Sequence, residues 1–233
     1  MPVLAFSSYS PAMFDNLPSV ATANCNFQAA GGRAQLELEL ATIAAKHPVA
    51  ADRFGIQLLH RHSRIDGDEV MIAFGRLSLP IKKADIDPVK GDRIYAVSWG
   101  LDPKKSKDND VAFVPLEFAY AEPGHSVGPT LDLEFAKDIS AVLIAHDLAD
   151  IIGIATISED ATPGLESTHG RANITLPGDA IKSKGKLIEV NWRLDPAGKT
   201  LKQCSQFCQE DDNGTHNNYG HFDSSTNNQS LVN

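Results

Sequence analysis

Two groups of residues in this 233-residue chain have side chains suited to chemistry near neutral pH. The first is His60 and His62 with Glu69, in the stretch FGIQLLHRHSRIDGDEVMIAF from Phe54 to Phe74. Imidazole titrates near neutrality and ligates metals, and a carboxylate beside it tunes its basicity. The trio therefore fits either general acid–base catalysis or a two-histidine, one-carboxylate metal site. The second group is Cys204, Cys208, His216 and His221, spaced C-x3-C-x7-H-x4-H, which are the ligand types zinc prefers. Its middle spacer is shorter than the roughly twelve residues of a ββα finger, so zinc bound there would form a compact clip. A third arrangement joins the groups, with some of the C-terminal ligands folded back towards His60 and His62.

The elements that must position these residues follow from periodicity. Apolar runs on either side of Asp66-Gly67 predict strand, tight turn and strand. Alternation then puts Phe54, Ile56, Leu58, His60 and His62 on one face. With the turn centred on Asp66-Gly67, His62 faces Met71 and Glu69 lies diagonal to His62 on the same face, roughly 7–8 Å away. A slip of one residue would move Glu69 to the other face. In the C-terminal group, Lys199–Glu210 is predicted as a short helix with Cys204 and Cys208 one turn apart. Their Cβ atoms would then be about 5–6 Å apart, too far for an unstrained disulfide but suited to sharing a metal.

Along the rest of the chain, 3.6-residue spacing predicts a helix over 34–46, ended by Pro48, and another over 132–147, capped by Thr130 or Asp132. Apolar runs at 94–101, 111–121, 151–158, 173–176 and 187–194 predict strands. Each helix leads through a short connection into an apolar strand with a glycine near its start, Gly55 in one case and Gly153 in the other. The expected fold class is therefore α+β, a mostly antiparallel sheet with two principal helices packed on it, arranged as two pseudo-repeated α+β units. The expected organisation is an irregular N-terminal arm over 1–33, the α+β domain over 34–196, and a short helix with a Cys/His tail over 197–233.

Composition excludes several classes of function. A net charge of -9 with basic residues interleaved among acidic ones argues against a nucleic-acid partner. The N-terminus lacks the charged and apolar regions of a leader, and no run of about 18 apolar residues occurs, so the expectation is a soluble, cytoplasmic protein without a membrane partner. Three cysteines do not make a disulfide framework. No Gly-x-Ser-x-Gly elbow or His-Glu-x-x-His helix is present.

Gly55, His60, His62, Glu69 and Gly75 echo the first cupin motif, but six residues separate His62 from Glu69 where the cupin pattern has three or four, and no second motif follows. The cupin family is rejected on that ground. The strand Phe54-Gly55-Ile56-Gln57-Leu58-Leu59-His60-Arg61-His62, together with the late Cys/His segment, resembles a pattern of uncharacterised fungal proteins, a resemblance that implies no activity. Two functions follow from the residues themselves. One is a small-molecule enzyme with His60, His62 and Glu69 as its catalytic or metal-binding face. The other is a non-catalytic binding protein with structural zinc, or another divalent metal, on Cys204, Cys208, His216 and His221.

Overall fold

Both edges of the strand Phe54–Leu58, β1, are occupied, and this closes the structure on itself. A computed structural model describes residues 9–86, 93–102, 113–124, 126–157, 164–177, 186–197 and 204–210. On one edge β1 pairs antiparallel with β6 (Ile152–Thr156), and on the other with β9 (Lys186–Arg193). The remaining strands are β2 (Glu69–Phe74), β3 (Leu77–Lys82), β4 (Ile94–Leu101), β5 (Phe113–Tyr120), β7 (Gly164–His169), β8 (Ala172–Pro177) and β10 (Cys204–Glu210). They form a closed barrel in the order β1-β6-β4-β5-β2-β3-β8-β7-β10-β9.

The α+β expectation is thus overturned. Ten strands close into a barrel, in place of an open sheet with two principal helices packed on it, and closure removes the unpaired edges an open sheet would leave. The hairpin through Asp66-Gly67 is also absent. With β1 held by β6 and β9, and β2 by β3 and β5, the two strands have no free edge to offer each other. Asp66-Gly67 instead leads into β2, with Glu69 N donating to Asp66 O at 2.9 Å. The two-residue hairpin turns lie at Gly75-Arg76 and Gly170-Arg171, where both glycines adopt φ of 62°. The helix expected over 199–210 is a strand from Cys204 onwards, because its backbone pairs with β9 on one side and β7 on the other.

Within the stretch 1–33, expected to be irregular, the described residues form α1 (Pro11–Asp15) and α2 (Val20–Ala29), the latter capped by Ser19, whose Oγ accepts from Thr22 N at 3.2 Å. Next come α3 (Gly32–Lys46) and the single turn α4 (Pro48–Ala51), then, after β5, α5 (Leu133–Ala145), where Asp132 Oδ1 accepts from Phe135 N at 2.8 Å. The largest apolar cluster joins α2, α3 and α5 to β1, β6 and β9 through Phe27, Leu40, Phe54, Phe135, Ile154 and Trp192. A second gathers Tyr9 and Phe14 with Leu59, Val70, Ile72, Leu116 and Phe118.

The ring has an internal two-fold relation. Exchanging each of β1 to β5 with the strand five places later in the chain reproduces the same ring read in the opposite direction. The parallel pair β2–β5 then corresponds to the parallel pair β7–β10. The relation centres on Ile56 opposite Ile154, which makes Gly55 and Gly153 equivalents. Outside the sheet, His47 at the end of α3 reaches Asp138 on α5 at 2.7 Å, while His146 at the end of α5 reaches Glu39 on α3 at 2.5 Å. The repeat is therefore two five-strand halves of one barrel, in place of two α+β units in an open sheet.

At both equivalent glycines a neighbouring backbone passes close by. A Cβ at Gly55 would lie 2.5 Å from Trp192 O, and one at Gly153 would lie 2.3 Å from Trp99 O. Backbone cannot rotate out of the way, so Gly55→Ala and Gly153→Ala are each expected to cost about 1–3 kcal/mol, read as a lower urea midpoint at unchanged m. Gly67→Ala, with nothing within 4 Å, should be close to neutral in the same measurement.

Candidate metal centre

The chain leaves the sheet after Leu58, and the next residues carry both histidines into a buried place. His60 is 2% exposed, and its Nδ1 lies 2.8 Å from Leu58 O. A carbonyl oxygen can only accept, so the proton of this bond sits on Nδ1 and a neutral ring presents a bare lone pair at Nε2. Burial keeps the ring neutral by pushing its pKa down, against the opposing pull of Glu166. His62 is held neutral more strongly still, first by burial and then by the His60 ring, whose centroid is 4.5 Å away.

Two neighbouring strands supply the other groups. Glu166 on β7 and Cys208 on β10 are direct partners across the parallel pair, and Cys208 also faces Ile188 on β9. The Cys208 thiol donates to Glu166 Oε2 at 2.8 Å, and Sγ lies 3.2 Å from His60 Nε2. Glu166 Oε2 is 3.9 Å from His60 Nε2 and 3.5 Å from His62 Nε2. Its other oxygen is occupied, because Asn173 Nδ2 on β8 donates to Oε1 at 3.1 Å. Burial raises the Glu166 pKa, with His60, Cys208 and Asn173 opposing the rise.

His60 Nε2, Glu166 Oε2 and Cys208 Sγ, each an atom that can give a lone pair to a cation, face one another. One ligand atom from each of His60, His62, Glu166 and Cys208 lies within 4.8 Å of all the others, so the group can hold a metal ion. Ligands placed tetrahedrally at zinc distances of 2.0–2.3 Å are about 3.3–3.8 Å from one another. Four of the six separations, at 2.8, 3.2, 3.5 and 3.9 Å, bracket that range, and all six lie within 4.8 Å.

The sequence-predicted residues divide between this centre and other places. His60, His62 and Cys208 come together. Glu69 belongs to a different interaction, since Arg171 donates to Oε1 at 3.2 Å and to Oε2 as well, and Asp66 N donates to Oε2 at 2.8 Å. Cys204 begins β10, four residues before Cys208 and therefore about 13 Å along the strand, too far to share an ion with it. His216 and His221 lie outside the described residues. Glu166 and Asn173 were missed because nothing in their spacing sets them apart from polar strand neighbours such as Ser167, Thr168 and Thr175. The available signal was the Gly170-Arg171 turn between them, a Gly-Arg pair like Gly75-Arg76. Glu117 was also missed; its carboxyl is pushed up to about 8 by burial and by the charge of Glu166.

No family model, curated protein or solved structure matches the chain. Among the described residues, no helix is long and apolar enough to cross a membrane.

The Glu69 arrangement has a pH signature. The hydrogen bonds from Arg171 hold the Glu69 pKa below the ordinary glutamate range despite burial, so the pair stabilises the fold above the unfolded glutamate value and loses that effect as pH falls through the folded one. Glu69→Gln should cost about 1–2 kcal/mol at pH 7, discounted for the half-exposed Arg171. In urea titrations the difference from wild type should shrink steadily from pH 5 to pH 3. A constant difference would mean the charge contributes nothing.

Proposed function

We propose that this protein binds one divalent cation of the zinc class through His60, His62, Glu166 and Cys208. The observation that carries the reading is the convergence of four buried ligand atoms, one from each residue, all within 4.8 Å of one another. Buried charges are stabilised when they are paired or coordinate a metal, and a cation at this centre would meet all four donors. Charge favours a divalent ion, since one carboxylate and one thiolate beside two neutral imidazoles balance it in a buried place. Two nitrogens, a sulfur and an oxygen as donors favour zinc over magnesium or calcium, which take oxygen ligands. The hydrogen bonds behind the ligands, His60 to Leu58 O and Asn173 to Glu166, are of the kind that orient metal ligands.

Four protein donors leave a tetrahedral ion no position for substrate, so the reading is a binding and stabilising centre in place of a small-molecule catalytic one. The test is the metal content and thermal stability of protein prepared without a histidine tag. Wild type should bind close to one zinc per chain, and zinc at a thousand times Kd should raise Tm by roughly 10 °C. His60→Ala/His62→Ala should abolish binding, and Asn173→Ala should weaken it about 10–100-fold. Cys204→Ser and His216→Ala/His221→Ala should leave it unchanged. Stoichiometric zinc that survives loss of His60 and His62 would sink the proposal.

A further inference from the structure

The four ligands are anchored very unequally. Glu166 and Cys208 are built into the sheet, paired with each other across β7 and β10 and flanked by β8 and β9. They cannot separate without breaking ladder hydrogen bonds. His60 and His62 lie in the segment 59–68 between β1 and β2, which belongs to no strand. Its hydrogen bonds run in two directions. Towards the N-terminal helices, Arg61 N donates to Pro18 O at 2.9 Å, Arg61 Nη1 to Asp15 O at 2.5 Å, and Ile65 N to Asp15 Oδ1 at 3.2 Å. Towards the sheet, Arg171 donates to Arg64 O from Nε at 3.3 Å and from Nη2 at 3.1 Å, while also gripping Glu69, whose Oε2 accepts from Asp66 N.

Arg171 sits in the turn between β7 and β8, five residues after Glu166 and two before Asn173. It therefore links, through one guanidinium, the hairpin that carries the carboxylate to the segment that carries the histidines. Its side chain is 49% exposed while that of Glu69 is 5% exposed, so the joint reaches the surface, whereas the four ligands are buried. From this arrangement we infer that Arg171, with Glu69, is a positioning residue for the metal centre, holding the histidine segment over Glu166 and Cys208. A bound ion then leaves, and a new one arrives, when this segment lifts from the Gly170-Arg171 turn. The inference rests on the metal reading above.

The planar guanidinium grips a carbonyl and a carboxylate together, a geometry an ammonium cannot reproduce. The experiment measures zinc release into an excess of a chromophoric chelator for wild type, Arg171→Ala, Arg171→Lys and Glu69→Gln. Asp138→Asn, which breaks the α3–α5 contact with Lys46 and His47, is the control for general destabilisation. Hydrogen exchange over residues 59–66 is followed in the same proteins. Arg171→Ala should release zinc at least ten-fold faster and expose 59–66 to exchange, with β7 and β10 still protected. Arg171→Lys should recover part of the effect, and Asp138→Asn should lower Tm without changing release. Release from Arg171→Ala at the wild-type rate, or faster release matched by Asp138→Asn at equal loss of Tm, overturns the inference. If wild type takes up no zinc, the metal reading is what fails. Exchange over 59–66 in the metal-free proteins then decides whether Arg171 holds the segment, and unchanged exchange in Arg171→Ala overturns that as well.

Discussion

Everything in this fold depends on two backbones approaching more closely than a side chain would allow. At Gly55 and Gly153 the strands β1 and β6 lie so near β9 and β4 that a methyl group would strike the carbonyl oxygens of Trp192 and Trp99. Four strands follow one another round the ring there, β9, β1, β6 and β4, and the apolar residues of β1 and β6 pack in one cluster with the helices. Closure then fixes where β1 ends. Because Leu59 N still bonds to Ile151 O at 2.8 Å, the chain leaves the sheet in a set direction, and His60 follows into the interior beside β7 and β10.

The centre is a product of ring order more than of local sequence. Cys208 and Glu166 meet because β10 runs parallel to β7, a pairing between segments about forty residues apart with β8 and β9 between them in the chain. His60 meets them because β9 alone separates β1 from β10. Neither adjacency leaves a mark in spacing or periodicity. What the structure adds is the setting of each ligand: a histidine whose Nδ1 bonds to a carbonyl two residues back, and a carboxylate with one oxygen held by Asn173.

Much of the chain was nonetheless legible. The strands expected at 94–101, 151–158 and 187–194 are found at 94–101, 152–156 and 186–193, the helices expected over 34–46 and 132–147 at 32–46 and 133–145, and of the two expected caps Asp132 is observed as a hydrogen bond. The equivalence of Gly55 and Gly153 was visible as well. The partners of those strands were not. Alternation shows that a strand has two faces but does not say what lies along its edges, so β1 and β2 read as a hairpin although neither has an edge free. The segment Cys204–Glu210 contains two cysteines at helical spacing, and only the ladder with β9 and β7 decides that it is a strand. Glu69 was placed correctly on a strand and given the wrong neighbour, because Arg171 comes from a hairpin 102 residues away in the chain.

The two-fold relation makes the two halves of the barrel a comparison carried within one molecule. Aligned on their Gly-Arg turns, the two hairpins set Glu166, four residues before Gly170, in the place that Met71 takes four residues before Gly75. The same hairpin frame thus holds a thioether in one half and a carboxylate in the other. The half that carries Met71 shows that such a hairpin closes into the barrel without a carboxylate at that position, so the buried acid of Glu166 serves something other than the pairing of its strands.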